Sequence, residues 1–242
     1  MTILSVNINK IALLRNSRGR DFPNVVKFTE QIIANGVRGI TVHPRPDERH
    51  ITRADVYALS DLLKDKSDIE FNIEGYPSDD FIKLVLEICP DQCTLVPDLP
   101  GQLTSDHGWN IGENQQFLFE TLAKLRSSRI RSCLFLDPVP SELKRVQAVG
   151  ADRIELYTEE FASSFGSASA DSVFQAYRDT AEMATTLGIG INAGHDLDLK
   201  NLAKFLQIPN ILEVSIGHAL VVESIQQGVE SVIAKYLEIT ST

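Results

Sequence analysis

Four of the chain's five histidines sit at or just beyond the ends of short apolar runs. His43 closes Gly39-Ile-Thr-Val-His, His50 follows seven residues later, His195 closes Ile191-Asn-Ala-Gly-His, and His218 closes Val214-Ser-Ile-Gly-His. Imidazole is the side chain that exchanges protons near neutral pH. Several of them at the carboxyl ends of separate strands are what an α/β protein needs to gather acid–base chemistry in one mouth. A carboxylate joins them: in Asn72-Ile-Glu-Gly75, Asn72 and Glu74 share one side of the strand. A carboxylate aimed into a barrel is costly unless it is paired or used. Glu74 is therefore a candidate general base, with a buried structural ion pair as the alternative. Glu155, inside Arg153-Ile-Glu-Leu-Tyr157, poses the same question.

Amides and cations stand beside these groups. The first run ends in Asn7-Ile-Asn9-Lys10 and leads into Leu14-Arg-Asn-Ser-Arg18-Gly19, a composition suited to phosphate and carbonyl recognition or, more blandly, to a solvated charged loop. The second leads into His43-Pro-Arg45-Pro-Asp-Glu-Arg49-His50, where prolines stiffen the segment that presents the imidazoles and guanidinium groups. Asn192-Ala-Gly-His195-Asp196 and Gly217-His218-Ala219 follow the seventh and eighth runs. Barrels commonly bind phosphate at those two places, with glycine N–H groups and a helix N-terminus.

The elements that must position these residues recur with a regular rhythm. Strand-length apolar runs occur at Leu4–Ile8, Gly39–His43, Ile69–Glu74, Gln92–Val96, Ser132–Asp137, Arg153–Thr158, Gly188–Ala193 and Ile211–Ile216. Their Val, Ile and Leu content is that of strands covered on both faces. Amphipathic stretches lie between most of them, on Val25, Phe28, Ile32 and Ile33; Phe81, Leu84, Val85 and Ile88; Phe117, Phe119, Leu122 and Leu125; Val173, Tyr177, Ala181 and Ala184; and Leu199, Leu202 and Phe205. A C-terminal helix is expected on Val221, Ile225, Val229, Val232 and Leu237. Ser78-Asp79-Asp80 reads as a helix start and Gly188 as a helix stop. Eight alternating units without a linker predict an α/β fold, a single (β/α)8 TIM barrel over residues 1–242. The competing fold is a doubly wound open sheet, weakened by the lack of Gly-x-Gly-x-x-Gly after the first run. Residues 97–112 form a long loop with the character of an active-site flap.

The bulk composition sets further bounds. An apolar fraction of 43% and a mean hydropathy near zero suit a soluble protein with a sizeable core. A net charge of −10 argues against nucleic acid, yet Lys10, Arg15, Arg18 and Arg20, then Arg45, Arg49 and Arg53, leave local cationic pockets. No run reaches membrane-span length and the N-terminus has no signal-peptide pattern, so a cytoplasmic location is expected. Cys89, Cys93 and Cys133 are expected to be buried structural thiols, since two thiols at Cys-x3-Cys make only half a metal site.

Taken in order, Val6-Asn-Ile-Asn-Lys-Ile-Ala-Leu-Leu-Arg-Asn-Ser-Arg-Gly19, Gly39-Ile-Thr-Val-His-Pro-Arg-Pro-Asp-Glu-Arg-His-Ile51, Leu95-Val-Pro97, Asn192-Ala-Gly-His195 and Ile216-Gly-His-Ala219 resemble the pyridoxine 5′-phosphate synthase family. The second block is highly specific, and the matches run from end to end. The resemblance implies a (β/α)8 barrel with extra helices, assembled as a homo-octamer. It also implies the condensation of 1-deoxy-D-xylulose 5-phosphate with 3-amino-2-oxopropyl phosphate to pyridoxine 5′-phosphate, phosphate and water, with no metal and no cofactor. Carried across by position, it makes His43 and Glu74 proton acceptors and His195 the proton donor. Asn7, Arg18, Gly217 and His218 would bind the aminoketone phosphate, and Arg45, His50 and Thr104 the deoxyxylulose phosphate. Asn9 and Lys10 stand where the family usually has Asp-His, at a contact to the deoxyxylulose phosphate. Asp196 replaces a glycine after the donor histidine, where a carboxylate suits an amine or hydroxyl rather than a phosphate. Tyr157-Thr158-Glu159 replaces His-Thr-Gly. Two further readings remain: a metal-dependent aldolase or hydrolase ligated by His43, His50, His195 and His218, and a phosphosugar-binding barrel without turnover.

Overall fold

In the computed structural model, which describes residues 1–98, 101, 102 and 104–241, eight parallel strands close into a barrel in sequence order. The strands are β1 (Ile3–Asn7), β2 (Gly39–Val42), β3 (Glu70–Gly75), β4 (Gln92–Leu95), β5 (Arg131–Leu136), β6 (Arg153–Tyr157), β7 (Gly190–Gly194) and β8 (Ile211–Ile216). The helices are α1 (Asn9–Asn16), α2 (Val25–Ala34), α3 (Arg53–Leu63), α4 (Asp79–Ile88), α5 (Ile111–Ser127), α6 (Leu143–Val149), α7 (Glu159–Ser164), α8 (Ala170–Thr186), α9 (Leu202–Phe205), α10 (His218–Gln227) and α11 (Val229–Ser241). The expected (β/α)8 barrel is present, with α1, α7 and α11 as additions to the alternating plan.

Strand alternation sorts the sequence into two layers. Leu4, Val6, Ile40, Val42, Ile73 and Leu95 are buried with the apolar stripes of the helices, and each contributes about 1.5–3 kcal/mol by leaving water. The intervening positions face inward and are mostly polar. Ser5 Oγ lies 2.7 Å from Thr41 Oγ1, Asn72 donates to Thr41 at 3.3 Å, and Thr94 donates to Asn72 at 3.0 Å. Lower in the barrel Asn192 donates across it to Gln92 at 3.3 Å and to Glu213 at 3.2 Å. Hydrogen bonding is what makes these buried polar groups tolerable.

Local signals behave as the residue types require. Ser78 Oγ accepts from Phe81 N at 3.3 Å at the start of α4, and Gly188, at φ +72°, follows α8. Three expectations are corrected. In α5 the packed stripe is Leu118, Thr121, Leu122 and Leu125; Phe117 and Phe119 lie off it and are exposed. One residue of offset is about 100° of helix rotation, enough to turn Phe117 outward toward Tyr76 and Trp109. The C-terminal helix is two helices, broken at Gly228 (φ +82°), which leaves Ile225 75% exposed on α10. Cys93 and Cys133 are buried, but Cys89 is exposed, because it occupies the left-handed turn (φ +52°) that ends α4.

Leu99, Pro100 and Leu103 of the expected flap lie outside the described residues. Its far end is anchored: the Trp109 indole donates to Leu95 O at 2.9 Å, and Trp109 N donates to Phe135 O at 3.0 Å. Among the described residues no helix is long and apolar enough to cross a membrane.

Candidate active site

All the strand ends singled out in the sequence open on the same face, around a cavity of about 580 Å³. From β1 and the first turn of α1 come Asn7, Asn9 and Lys10; from β2 and its loop, His43, Arg45 and His50; from β3, Glu74. Thr104 and Ser105 close one side, His195 and Asp196 follow β7, and Gly217 and His218 follow β8. Arg18 is the one expected site residue outside this lining; it is exposed beyond α1. A neighbouring cavity of about 680 Å³ shares His43, Arg45 and Arg49 but is walled in part by Pro44, Pro46, Tyr76, Phe81 and Leu84, and fewer polar groups converge there.

Hydrogen bonds tie β1, β2 and β3 together at the mouth. Asn7 Nδ2 donates to Glu74 Oε2 at 3.4 Å, Asn7 Oδ1 accepts from Asn9 N at 3.1 Å, and Asn9 Oδ1 accepts from His43 N at 3.0 Å. His43 Nδ1 stands 4.0 Å from Glu74 Oε2. Asn9 therefore serves the backbone of the catalytic candidate as well as lining the cavity.

On the loop after β2, Arg45 Nη2 donates to Asp98 Oδ2 at 2.5 Å, and Ser105 Oγ donates to the same oxygen at 2.8 Å. His50 Nδ1 accepts from Ile51 N at 2.9 Å, which leaves Nε2 to carry the proton of the neutral ring. The His43 and His50 rings meet edge-on at 6.2 Å. Across the mouth, His195 sits 5.1 Å from the Phe135 ring and 5.3 Å from Tyr157. Gly194 admits Glu155 beside it: a Cβ at Gly194 would lie 2.2 Å from Glu155 Oε1.

Burial dominates the electrostatics. It drives His43 well below the ordinary imidazole value, helped by the Arg45 charge, and His50 down to about 4, helped by Arg45 and Arg49. His195 is also lowered by burial, against the opposing pull of Asp196 and Asp98. Desolvation raises Glu74 and Glu155, and the nearby Glu213 carboxyl pushes both further. Neutral imidazoles and proton-retaining carboxyls in one cavity are a set for moving protons in either direction near neutral pH.

The sequence left Glu155 an open question and did not reveal Asp98 as a partner of Arg45. The signal for Glu155 was a carboxylate inside an apolar run. Asp98 had none, since the partners are separated by 53 positions that carry no periodicity linking them. Among the described residues, no three His, Cys, Asp or Glu side chains converge to hold a metal ion.

A family model described as pyridoxal phosphate biosynthesis protein PdxJ matches residues 4–242. A Christiangramia forsetii protein named pyridoxine 5′-phosphate synthase is 49% identical over 240 residues, covering 99% of each chain. A protein of the same name from Bacteroides thetaiotaomicron is 51% identical over 237 residues, covering 98% of each. Among solved structures, a tryptophan synthase α-subunit from Pyrococcus furiosus superposes with a TM-score of 0.65 at 12% identity, covering 100% of this chain and 98% of its own. That last likeness is one of fold.

Proposed function

The chain belongs to the pyridoxal phosphate biosynthesis protein PdxJ family, and from that membership we propose that its cavity condenses 1-deoxy-D-xylulose 5-phosphate with 3-amino-2-oxopropyl phosphate to pyridoxine 5′-phosphate. The observation that carries this reading is the convergence of His43, Glu74 and His195, from β2, β3 and β7, on one cavity flanked by phosphate-type donors on two sides.

The donors divide into two groups. Arg45, His50 through its Nε2–H, Thr104, Asn9 and Lys10 surround the place for the deoxyxylulose phosphate. Asn7, Gly217 and His218, at the N-terminus of α10, suit the aminoketone phosphate, where unpaired N–H groups favour an anion. Arg18 belongs to the aminoketone subsite in this reading. Asp196, exposed on the cavity rim, is placed to meet an ammonium or hydroxyl.

Imine formation between amine and ketone, the dehydrations, phosphate loss and ring closure each relocate a proton. His43 and Glu74 accept protons from carbon and from water: burial keeps the His43 ring neutral and so free to accept, and it raises Glu74 so that its carboxylate, once ionised, is the stronger base. His195 donates one. A phosphate dianion bound nearby raises an imidazole pKa, so substrate binding itself converts His195 toward the imidazolium that donation needs. Binding two phosphates also holds the reacting carbons together. The reading needs no metal or organic cofactor, and no nucleic acid or membrane partner. A homo-octamer in the cytoplasm is part of it, and the exposed Phe22 and Ile225 supply apolar surface for contacts between copies.

The test is a turnover assay on chelator-treated protein with both substrates, the aminoketone generated fresh. Pyridoxine 5′-phosphate and inorganic phosphate in equal amounts are expected. Binding of both substrates without product would overturn the reading.

A further inference from the structure

We propose that Thr158 is the positioning residue that holds His195 in its reacting orientation; the proposal rests on the reading of His195 as the proton donor. Thr158 does not line the cavity, although Tyr157 and Glu159 on either side of it do. It is fully buried, and every polar group it has is committed. Its N–H donates to Gly194 O at 3.0 Å and its carbonyl accepts from Ala162 N at 3.0 Å. Its hydroxyl lies 2.7 Å from Gly194 O and against His195 O, so one donor bridges two successive carbonyls of the turn after β7.

That turn needs such a hold. His195 and Asp196 are consecutive non-glycine residues at φ +77° and +58°, a conformation in which L side chains are strained unless the surroundings impose it. Two side chains impose it here. Thr158 grips the carbonyls on the barrel side. On the other side buried Asn201 donates to Asp196 O at 3.0 Å while accepting from Asp198 N at 2.9 Å. Tyr157 and Phe135 then limit the swing of the ring itself. A threonine fits the task because its β-branch restricts χ1 and keeps the hydroxyl aimed at the carbonyls. Without the hydroxyl, the His195 peptide is free to relax toward negative φ, which turns the imidazole out of the mouth.

The test compares Thr158→Val, Thr158→Ser and His195→Ala, with the Thr158→Val/His195→Ala double variant. Thr158→Val is expected to lower kcat by about tenfold or more, with KM for both substrates within about threefold, as displacement of a reacting group does. Thr158→Ser restores most of kcat, and Thr158→Val adds nothing in the His195→Ala background. The His195 imidazole resonance, titrated by NMR without substrate, moves in Thr158→Val and returns in Thr158→Ser. An active Thr158→Val beside an inactive His195→Ala overturns the positioning role alone. An active His195→Ala instead overturns the donor reading on which it rests. If Thr158→Val does not fold, Asn201→Asp removes the second donor from the same turn and is read on the same scale; unchanged kcat there also counts against the proposal.

Discussion

Glu74 presents the same oxygen, Oε2, to two neighbours: Asn7 donates to it at 3.4 Å, and His43 Nδ1 faces it at 4.0 Å. Because β1, β2 and β3 are adjacent, one carboxylate is reached from both preceding strands at once. Burial lowers the imidazole and raises the carboxyl, so the pair favours its uncharged forms at rest. The imidazole–carboxyl distance is just beyond hydrogen-bond range.

Replacing Glu74 by Gln keeps the shape and the Asn7 contact but removes the proton acceptor. Turnover is expected to fall by about 10²-fold or more, the usual contribution of a general base, with little change in KM. Steady-state kinetics on both substrates checks this, and kcat within tenfold of the parent protein would remove Glu74 from the acid–base set.

The barrel interior predicts an unusual pH dependence of stability. Burial raises the Glu213 carboxyl to about 7, so the folded state holds a proton that the unfolded chain releases near its ordinary value of 4.5. The folded form therefore binds more protons across that window. Stability is greatest below about pH 4.5 on this account and falls as pH rises through 7, by about 3 kcal/mol at 1.36 kcal/mol per unit. The lowered histidines act with the opposite sign, losing stability as pH falls below their unfolded values. Urea unfolding at pH 5 and pH 8 is compared between the parent protein and Glu213→Gln, because Glu74, Glu155 and the histidines contribute to both. The variant should show a smaller decline between the two pH values, and an unchanged difference would refute the assignment.

Arg45 and Asp98 are both buried, and each compensates the other. Arg45→Ala strands a buried carboxylate and is expected to cost about 3–5 kcal/mol, whereas Arg45→Ala/Asp98→Asn recovers a large part of it. A double-mutant cycle in denaturant measures the coupling. Additive losses would mean that the two charges are separately solvated.

His50 is expected to remain uncharged at neutral pH, with its proton on Nε2, since Nδ1 accepts from Ile51 N. Nitrogen NMR should show an unprotonated Nδ1 and a titration near 4 in the ligand-free protein. Inorganic phosphate beside the ring should raise that value, because an anion favours imidazolium. A titration near 6.5 in the free protein would contradict the buried, cation-flanked environment.

Strand-length apolar runs, with helical spacing between them, determined the eight strands, their alternation with helices and the face on which the histidines emerge. Short apolar runs and helical spacing are local properties, and a closed barrel is the compact arrangement that covers eight such strands on both faces. Residue type at the strand ends likewise marked Asn7, His43, Glu74, His195 and His218, because a polar group closing an apolar run has few structural excuses. Tertiary structure decided what no local pattern encodes. It paired Arg45 with Asp98, laid Glu155 against Gly194, and carried Arg18 away from the cavity lining. It turned Phe117 outward and exposed Cys89, where an offset of one residue or the end of a helix outweighs hydrophobicity. It also shaped the left-handed turn at His195 and Asp196. Two non-glycine residues in that conformation are unfavourable in isolation, and they persist only because Thr158 and Asn201, distant in the chain or beyond the turn, bond to its carbonyls.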